Sequence, residues 1–287
     1  MRPNIGIVGQ GFVGGSVYAV LSEYERIGSY DIDNTKSNVS SLDKLIDQSD
    51  IIFVCLPTPM RESGECYVGI VEETLSYINE YCAGQKIVIT KSTVPPGTHS
   101  RWSKKYNNLA IVFNPEFLTE ANALEDFRTQ EYLILGSDCR DKQEAAKQAF
   151  LLAFPEDSVD YLFCSHEEAE AIKYFRNTFL SVKISFCNEF YEMCKSMGID
   201  YQSVSNIAHL DNRLGTSHYM VPGPDGDMGF GGHCFPKDIN ALIHMCQAKN
   251  ISCDTLKTAW NINTKFRKNY DWLSMEGRAV INNKENK

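Results

Sequence analysis

Asn4-Ile5-Gly6-Ile7-Val8-Gly9-Gln10-Gly11-Phe12-Val13-Gly14 opens the chain with a short apolar run and then three glycines in G-x-G-x-x-G order. The apolar run reads as a buried strand, and a helix-like stretch over residues 16–24 follows the glycines. Strand, glycine turn and helix together are the setting in which this fingerprint cradles a dinucleotide. Gly9 permits the tight turn, Gly11 lets a pyrophosphate approach the backbone, and Gly14 lets helix and strand pack closely. Phe12 and Val13 stand where the helix begins, so its free N–H groups and partial positive charge face the phosphates. A second strand candidate, residues 27–32, carries Asp31, 22 residues after Gly9. A carboxylate at that offset hydrogen-bonds an adenosine ribose and repels a 2′-phosphate, so the expected cofactor is NAD.

Further strand and helix signals alternate along the chain. Residues 50–56 form an apolar run ending at Pro57, residues 69–82 read as a helix, and residues 86–90, 109–113, 131–135 and 160–163 read as strands. Such alternation predicts an α/β fold with a doubly wound, mostly parallel, Rossmann-like sheet. A long helical stretch over residues 167–197 then leads into a smaller all-helical domain, with another helix over residues 255–268. The expected domains are residues 1–164 for NAD, residues 165–280 as a helical central and dimerisation domain, and a polar tail, residues 281–287. Ligand is expected beyond the C-terminal strand ends, in a cleft with NAD on the sheet side and the helical domain facing it.

The chain has 287 residues, 43% hydrophobic and 23% charged, the balance of an ordinary globular protein. No run of about 18 apolar residues suggests a membrane span. Met1-Arg2-Pro3-Asn4 passes straight into the first strand without the apolar core of a signal peptide. A net charge of −9 argues against nucleic acid as a main partner. The ten cysteines include no C-x-x-C pair, so no zinc ribbon, metal site or thioredoxin-type centre is expected. They read as reduced thiols in the cytoplasm, mostly core filler.

The chemistry-bearing candidates fall at strand ends and in one later loop. Lys91-Ser92-Thr93 follows one strand and Asn114-Pro115-Glu116-Phe117-Leu118-Thr119-Glu120 follows another. Singly, Thr93 reads equally well as a helix cap, and Glu116 or Glu120 as a solvated carboxylate. At one sheet edge, a hydroxyl and two carboxylates would orient a water and move protons. Lys173 and Asn177 lie four residues apart on one helix face, with Ile172, Phe175, Phe179 and Leu180 expected to pack around them. In Gly229-Phe230-Gly231-Gly232-His233-Cys234-Phe235-Pro236-Lys237-Asp238 a cysteine follows a glycine loop and precedes a lysine and an aspartate. Glycines let the backbone approach a ligand, and a nearby cation favours the thiolate while a carboxylate opposes it.

Together these residues resemble the UDP-glucose/GDP-mannose dehydrogenase family, whose members oxidise the C6 alcohol of a nucleotide sugar to a carboxylate. The resemblance runs from residue 4 to about residue 270. It implies that Cys234 is the nucleophile, capturing a C6 aldehyde as a thiohemiacetal that becomes a thioester and is hydrolysed. It implies that Lys173 and Asn177 hold the oxyanion, and that Thr93 and Asp238 bind water or relay protons, Asp238 also holding Lys173. Glu120 becomes the base for thioester hydrolysis, while Glu116 shapes the site. Thr93 and Lys237 also join the cofactor side. Glu116, Phe117, Leu118, Lys173, Asn177, Phe230 and Gly231 line the nucleotide-sugar site, and Arg213 matches an arginine that reaches the substrate of a neighbouring subunit. A homodimer built on the long helix follows from the same resemblance.

Two departures from the family pattern stand out. Family members continue into a second nucleotide-binding domain, whereas this sequence runs to Lys287. A natural short form, a fragment and half of a split enzyme completed by a separate chain are all compatible with that. Residues 221–228, with their turn-forming Pro222-Gly223-Pro224-Asp225-Gly226 core, read as an insertion that covers the sugar site or merely lengthens a surface loop. Two other functions stay open: a β-hydroxyacid-type dehydrogenase, which needs no cysteine nucleophile, and a module that binds NAD or a partner without turnover.

Overall fold

Apolar runs of four or five residues build the sheet of this protein, a computed structural model that describes residues 2–281. The expected polar tail lies, from residue 282 onward, outside the described residues. The strands are β1 (Ile5–Val8), β2 (Ile27–Tyr30), β3 (Ile51–Val54), β4 (Lys86–Thr90), β5 (Leu109–Phe113), β6 (Tyr132–Gly136) and β7 (Asp160–Cys164). They join in the order β2-β1-β3-β4-β5-β6-β7. All neighbours pair in parallel except β5 and β6, which meet antiparallel at Phe113 and Gly136. The chain leaves β1 for β2 on one side and then crosses to β3 on the other. The C-terminal ends of β1 and β3 therefore flank the topological switch point, where crevices of such sheets open.

Continuous apolar strands signal a sheet covered on both faces, and successive residues serve opposite cores. Ile5, Ile7, Ile51 and Phe53 pack with Val17, Val20 and Leu21 of helix α1 (Phe12–Leu21). Val8, Ile52 and Val54 pack instead with helices α2 (Leu42–Gln48), α3 (Gly69–Tyr81) and α4 (Thr98–Lys105). On α3 the buried face is Val71, Leu75 and Ile78, the spacing of one helical stripe. Each such side chain contributes roughly 1.5–3 kcal/mol on burial. Helices α5 (Ala123–Arg128) and α6 (Arg140–Lys147) complete the first face through Phe127 and Ala146.

The chain divides into two compact units, one running to Thr58 and again over Val68–Lys173, the other comprising Pro59–Tyr67 and everything from Tyr174 onward. The division at 173/174 falls inside helix α7 (His166–Ser196), whereas the expected boundary at 164/165 coincides with the end of β7. The second unit holds helices α8 (Tyr201–Ala208), α9 (Cys234–Ala248) and α10 (Asp254–Phe266). Its core joins Phe230, Ile239, Ile243 and Ala259 with Val182 and Ile184 of α7. Met60 also makes isolated β-bridges to Cys66 and Val280 in this unit. Among the described residues no helix is long and apolar enough to cross a membrane.

Candidate active site

The turn from β1 into α1 leaves no room for side chains at two of its glycines. Gly9 has φ +90°, and a Cβ there would lie 2.5 Å from the Cys55 carbonyl oxygen. A Cβ on Gly14 would lie 1.9 Å from the Gly9 carbonyl oxygen. Gly11 differs, because nothing stands within 4 Å of the Cβ it lacks. It lines an open cavity of about 540 Å³ with Phe12, Gly15, Ser16, Glu120 and Asn122. Asp31, at the end of β2, accepts from the Gln10 amide at 2.5 Å and the Asp33 amide at 2.9 Å. The buried Gln10 Nε2 has no hydrogen-bond partner among the described residues. An open cradle at Gly11, a helix N-terminus and a carboxylate beside them fit a dinucleotide pyrophosphate and ribose.

In the same unit a set of buried charges gathers beyond β4 and β5. Lys173 Nζ donates to the Glu116 carbonyl oxygen at 2.5 Å and to Glu116 Oε1 at 2.9 Å. Glu116 Oε2 accepts from the Leu118 amide at 2.9 Å. Burial would raise the Glu116 carboxyl, but Lys173, the Leu118 N–H and Lys91 together hold it below the usual range. Glu116 is thus an ionised anchor with both oxygens engaged. Within this unit it, rather than Asp238, is the carboxylate that holds Lys173. Glu120 opens a short 3-10 turn, Glu120–Asn122, and is exposed at the cavity. Thr93 is buried, and its carbonyl accepts from Thr58 Oγ1 at 2.7 Å. The ring of Phe117 lies 5.5 Å from Lys173 Nζ.

Sequence reasoning missed two groups here. Lys91 is 4% exposed and donates to Asn114 Oδ1 at 2.5 Å. Burial lowers it to about 8, opposed only in part by Cys55 and Glu116 and assisted by Lys173. Glu170, one turn before Lys173, accepts from the His99 amide and ring and from the Gly97 amide, and His99 Nε2 meets Thr90 Oγ1 at 2.7 Å. This buried relay pins α7 to the loop after Thr93. The only sequence signal was polar residues at apolar positions of a helix stripe.

In the second unit Cys234 is not a loop residue: it is the first residue of α9, with His233 at the position before it. Helix N-termini favour negative charge, and reactive thiolates occupy such positions. Lys237 ends the first turn and Asp238 follows it, the two buried and ion-paired. Burial would lower Lys237, but Asp238, then Cys234 and Cys66, raise it above the usual lysine range. Asn177 Nδ2 donates to Asp238 Oδ2 at 2.5 Å. Gly231 and the buried Phe230 lie in the preceding loop, the Phe230 amide and carbonyl both bonded to Asn263. Arg213 sits on an exposed 3-10 turn, Asn212–Leu214, its guanidinium bonded to Asp211.

One packing expectation is corrected. Phe175 and Phe179 are 71% and 59% exposed, so they do not enclose Lys173 and Asn177. With Phe186 and Met193 they form an exposed apolar stripe on α7. A helix turns 100° per residue, so these positions share a face that Lys173 and Asn177 do not.

Residues 31–152 match the NAD-binding domain of the UDP-glucose/GDP-mannose dehydrogenase family, and residues 167–265 match its central domain. The chain is 32% identical to UDP-glucose 6-dehydrogenase TuaD of Bacillus subtilis over 243 residues, 82% of this chain and 51% of that protein. It is 28% identical to the UDP-glucose 6-dehydrogenase of Rickettsia felis over 289 residues, 88% of this chain and 63% of that protein. The chain thus spans between half and two thirds of these relatives. Among solved structures, a UDP-glucose dehydrogenase from Pyrobaculum islandicum superposes with TM-score 0.82 at 25% identity, covering 92% of this chain and 68% of that one. A 3-hydroxyisobutyrate dehydrogenase from Mycobacterium tuberculosis superposes with TM-score 0.74 at 16% identity, covering 92% and 94%.

Proposed function

The chain belongs to the UDP-glucose/GDP-mannose dehydrogenase family, and from that premise we propose that it oxidises the C6 alcohol of a nucleotide sugar, UDP-glucose first among them, to the carboxylate in two NAD-dependent stages. The observation that carries this reading is Cys234 at the N-terminus of α9, beside the buried Lys237–Asp238 pair. A hydroxyacid dehydrogenase needs no thiol there.

The residues that would hold NAD are Gly9, Gly11, Phe12, Val13 and Gly14 for the pyrophosphate and Asp31 for the ribose, with Thr93 and Lys237 nearer the reacting end. NAD, when bound, would supply the hydride acceptor for both stages. Cys234 Sγ attacks the C6 aldehyde, forming a C–S bond while the carbonyl oxygen takes a proton to give a thiohemiacetal. Loss of a hydride from that carbon, and of the proton from its hydroxyl, leaves a thioester. Lys173 and Asn177 donate to the oxygen wherever negative charge develops on it. Glu120 takes a proton from the attacking water, and the C–S bond breaks to return the Cys234 thiol and the carboxylate. Thr93 and Asp238 orient water and pass protons. Glu116, its carboxylate committed to Lys173 and Leu118, fixes the lysine and shapes the sugar site with Phe117, Leu118, Phe230 and Gly231.

The exposed stripe on α7 suits a homodimer in which Arg213 serves the partner's substrate. No disulfide joins the cysteines among the described residues, which suits a reducing cytoplasm. A β-hydroxyacid dehydrogenase is the second reading. It is favoured by the near-complete mutual coverage with the 3-hydroxyisobutyrate enzyme, a likeness of fold alone.

The test is the number of NADH formed per nucleotide sugar consumed. Two per sugar supports the thioester route. One per sugar, or turnover of a β-hydroxyacid only, supports the second reading. NAD binding with no turnover would point to a non-catalytic module, or to a separate chain needed to complete the enzyme.

A further inference from the structure

The glycines before Cys234 have more backbone freedom than any other residue type, yet a nucleophile must be held within fractions of an ångström. Side chains from distant segments of the second unit supply the restraint. The Gly229 amide donates to Asn188 Oδ1 at 3.0 Å, the Phe230 amide to Asn263 Oδ1 at 2.6 Å, and the Gly232 amide to Asp271 Oδ2 at 2.9 Å. Gly231 lies directly on the guanidinium of Arg267: a Cβ there would sit 2.0 Å from Nη2.

Arg267 is 4% exposed, just past α10. Its Nη2 donates to Asp271 Oδ1 at 3.0 Å and to Asp225 Oδ2 at 2.7 Å, and its Nε to the Asn269 carbonyl at 2.7 Å. Asp271 therefore bridges Arg267 to the Gly232 amide, and Asp225 brings in the turn over residues 221–228. That turn is fastened elsewhere too. Asp227 Oδ2 accepts from the Lys268 and Asn269 amides at 3.0 and 2.8 Å. Val221 is buried with Cys187, Cys194 and Tyr201, and Met228 packs on the same cluster.

We propose that Arg267 is a positioning residue for the cysteine loop, and that residues 221–228 are a clamp acting on Cys234 through Asp225, Arg267 and Asp271. This deepens the reading of Cys234 as nucleophile and rests on it. Asp225 is the right place to break the clamp, because its side chain is 49% exposed and outside the apolar core. An ordinary exposed ion pair contributes little to stability, so a structural role alone predicts almost no effect.

The test compares Asp225→Ala and Asp225→Glu with the unaltered chain by amide hydrogen exchange and by NADH formation. In Asp225→Ala, exchange over residues 229–234 rises about tenfold while β1, β3 and the middle of α9 are unchanged. The kcat falls about tenfold with KM for NAD unchanged, and Asp225→Glu recovers most of both. Unchanged exchange in the 229–234 segment overturns the clamp. So does a uniform rise across the chain, which would mark general destabilisation. Exchange needs no turnover, so a chain inactive on every sugar would refute the proposed reaction and still show whether the clamp holds.

Discussion

Residues 9–14 and residues 229–233 both lead through glycines into a helix, α1 in one unit and α9 in the other. The first loop is held by its own backbone: Gly14 lies against the Gly9 carbonyl, and Gly9 against that of Cys55. The second is held by side chains, those of Asn188, Asn263 and Asp271, which stand 41, 33 and 39 residues away along the chain. A loop locked by backbone keeps its face open, as Gly11 does, and suits a ligand that comes and goes. A loop locked by side chains fixes the residue after it, and suits a nucleophile that must not wander.

Separate ablations would break this comparison most sharply. Cys234→Ala should abolish carboxylate formation, a loss of at least about 10³-fold, and leave NAD affinity within twofold. Nucleophilic Cys234 is refuted if the variant still forms two NADH per sugar. Glu116→Gln comes next in size. It leaves Lys173 buried without its carboxylate, and breaking such a pair costs roughly 3–5 kcal/mol, read as a lower denaturant midpoint. Glu116 is held below its usual range, so its contribution is present above about 4.5 and disappears as pH falls through the lowered value. The Gln variant should lose that acid dependence.

The glycines of the first loop give a finer contrast. Gly14→Ala forces a Cβ onto a carbonyl and should destabilise by about 1–3 kcal/mol, weakening NAD binding as well. Gly11→Ala meets nothing within 4 Å, so stability should stay within about 0.5 kcal/mol, while NAD affinity falls because the methyl enters the cradle. Equal effects of the two substitutions on stability, measured by chemical denaturation, would remove the distinction between packing glycine and ligand glycine.

The same contrast explains what could be read from the chain. The first loop was legible because its determinants are local: strand, glycines, helix and Asp31 lie within about thirty residues. Strands β4 and β5 were placed to the residue for the same reason, each an apolar run between polar ends. Cys234 was legible as a cysteine following a glycine loop but not as the residue that opens a helix. The clamp was not legible at all. Asn188, Asn263, Arg267 and Asp271 are ordinary polar residues on helices or turns, and only tertiary packing brings them to the glycines. Phe175 and Phe179 failed for a different reason, because spacing gives a shared face but not which face is buried.

Two of the buried lysines extend the comparison to charge, with the smallest expected effect. Lys91 and Lys237 are both withdrawn from solvent, yet Lys91 is lowered to about 8 and Lys237 is raised. At Lys237 burial is outweighed by Asp238 together with Cys234 and Cys66, whereas burial dominates at Lys91. A lysine whose folded value lies below its unfolded value of 10.5 is harder to protonate when folded. Between about 8 and 10.5 the unfolded chain therefore binds more protons at this site, and stability should rise with pH. From pH 7.5 to 9 the gain from Lys91 should be about 1 kcal/mol. Measured as the difference in denaturant midpoint between the unaltered chain and Lys91→Met, it should grow across that interval. Lys237 contributes nothing there, since it keeps its proton in both states. Parallel midpoint curves would mean that Lys91 is as well compensated by Glu116 and Asn114 as Lys237 is by Asp238, and the electrostatic contrast between the units would be lost.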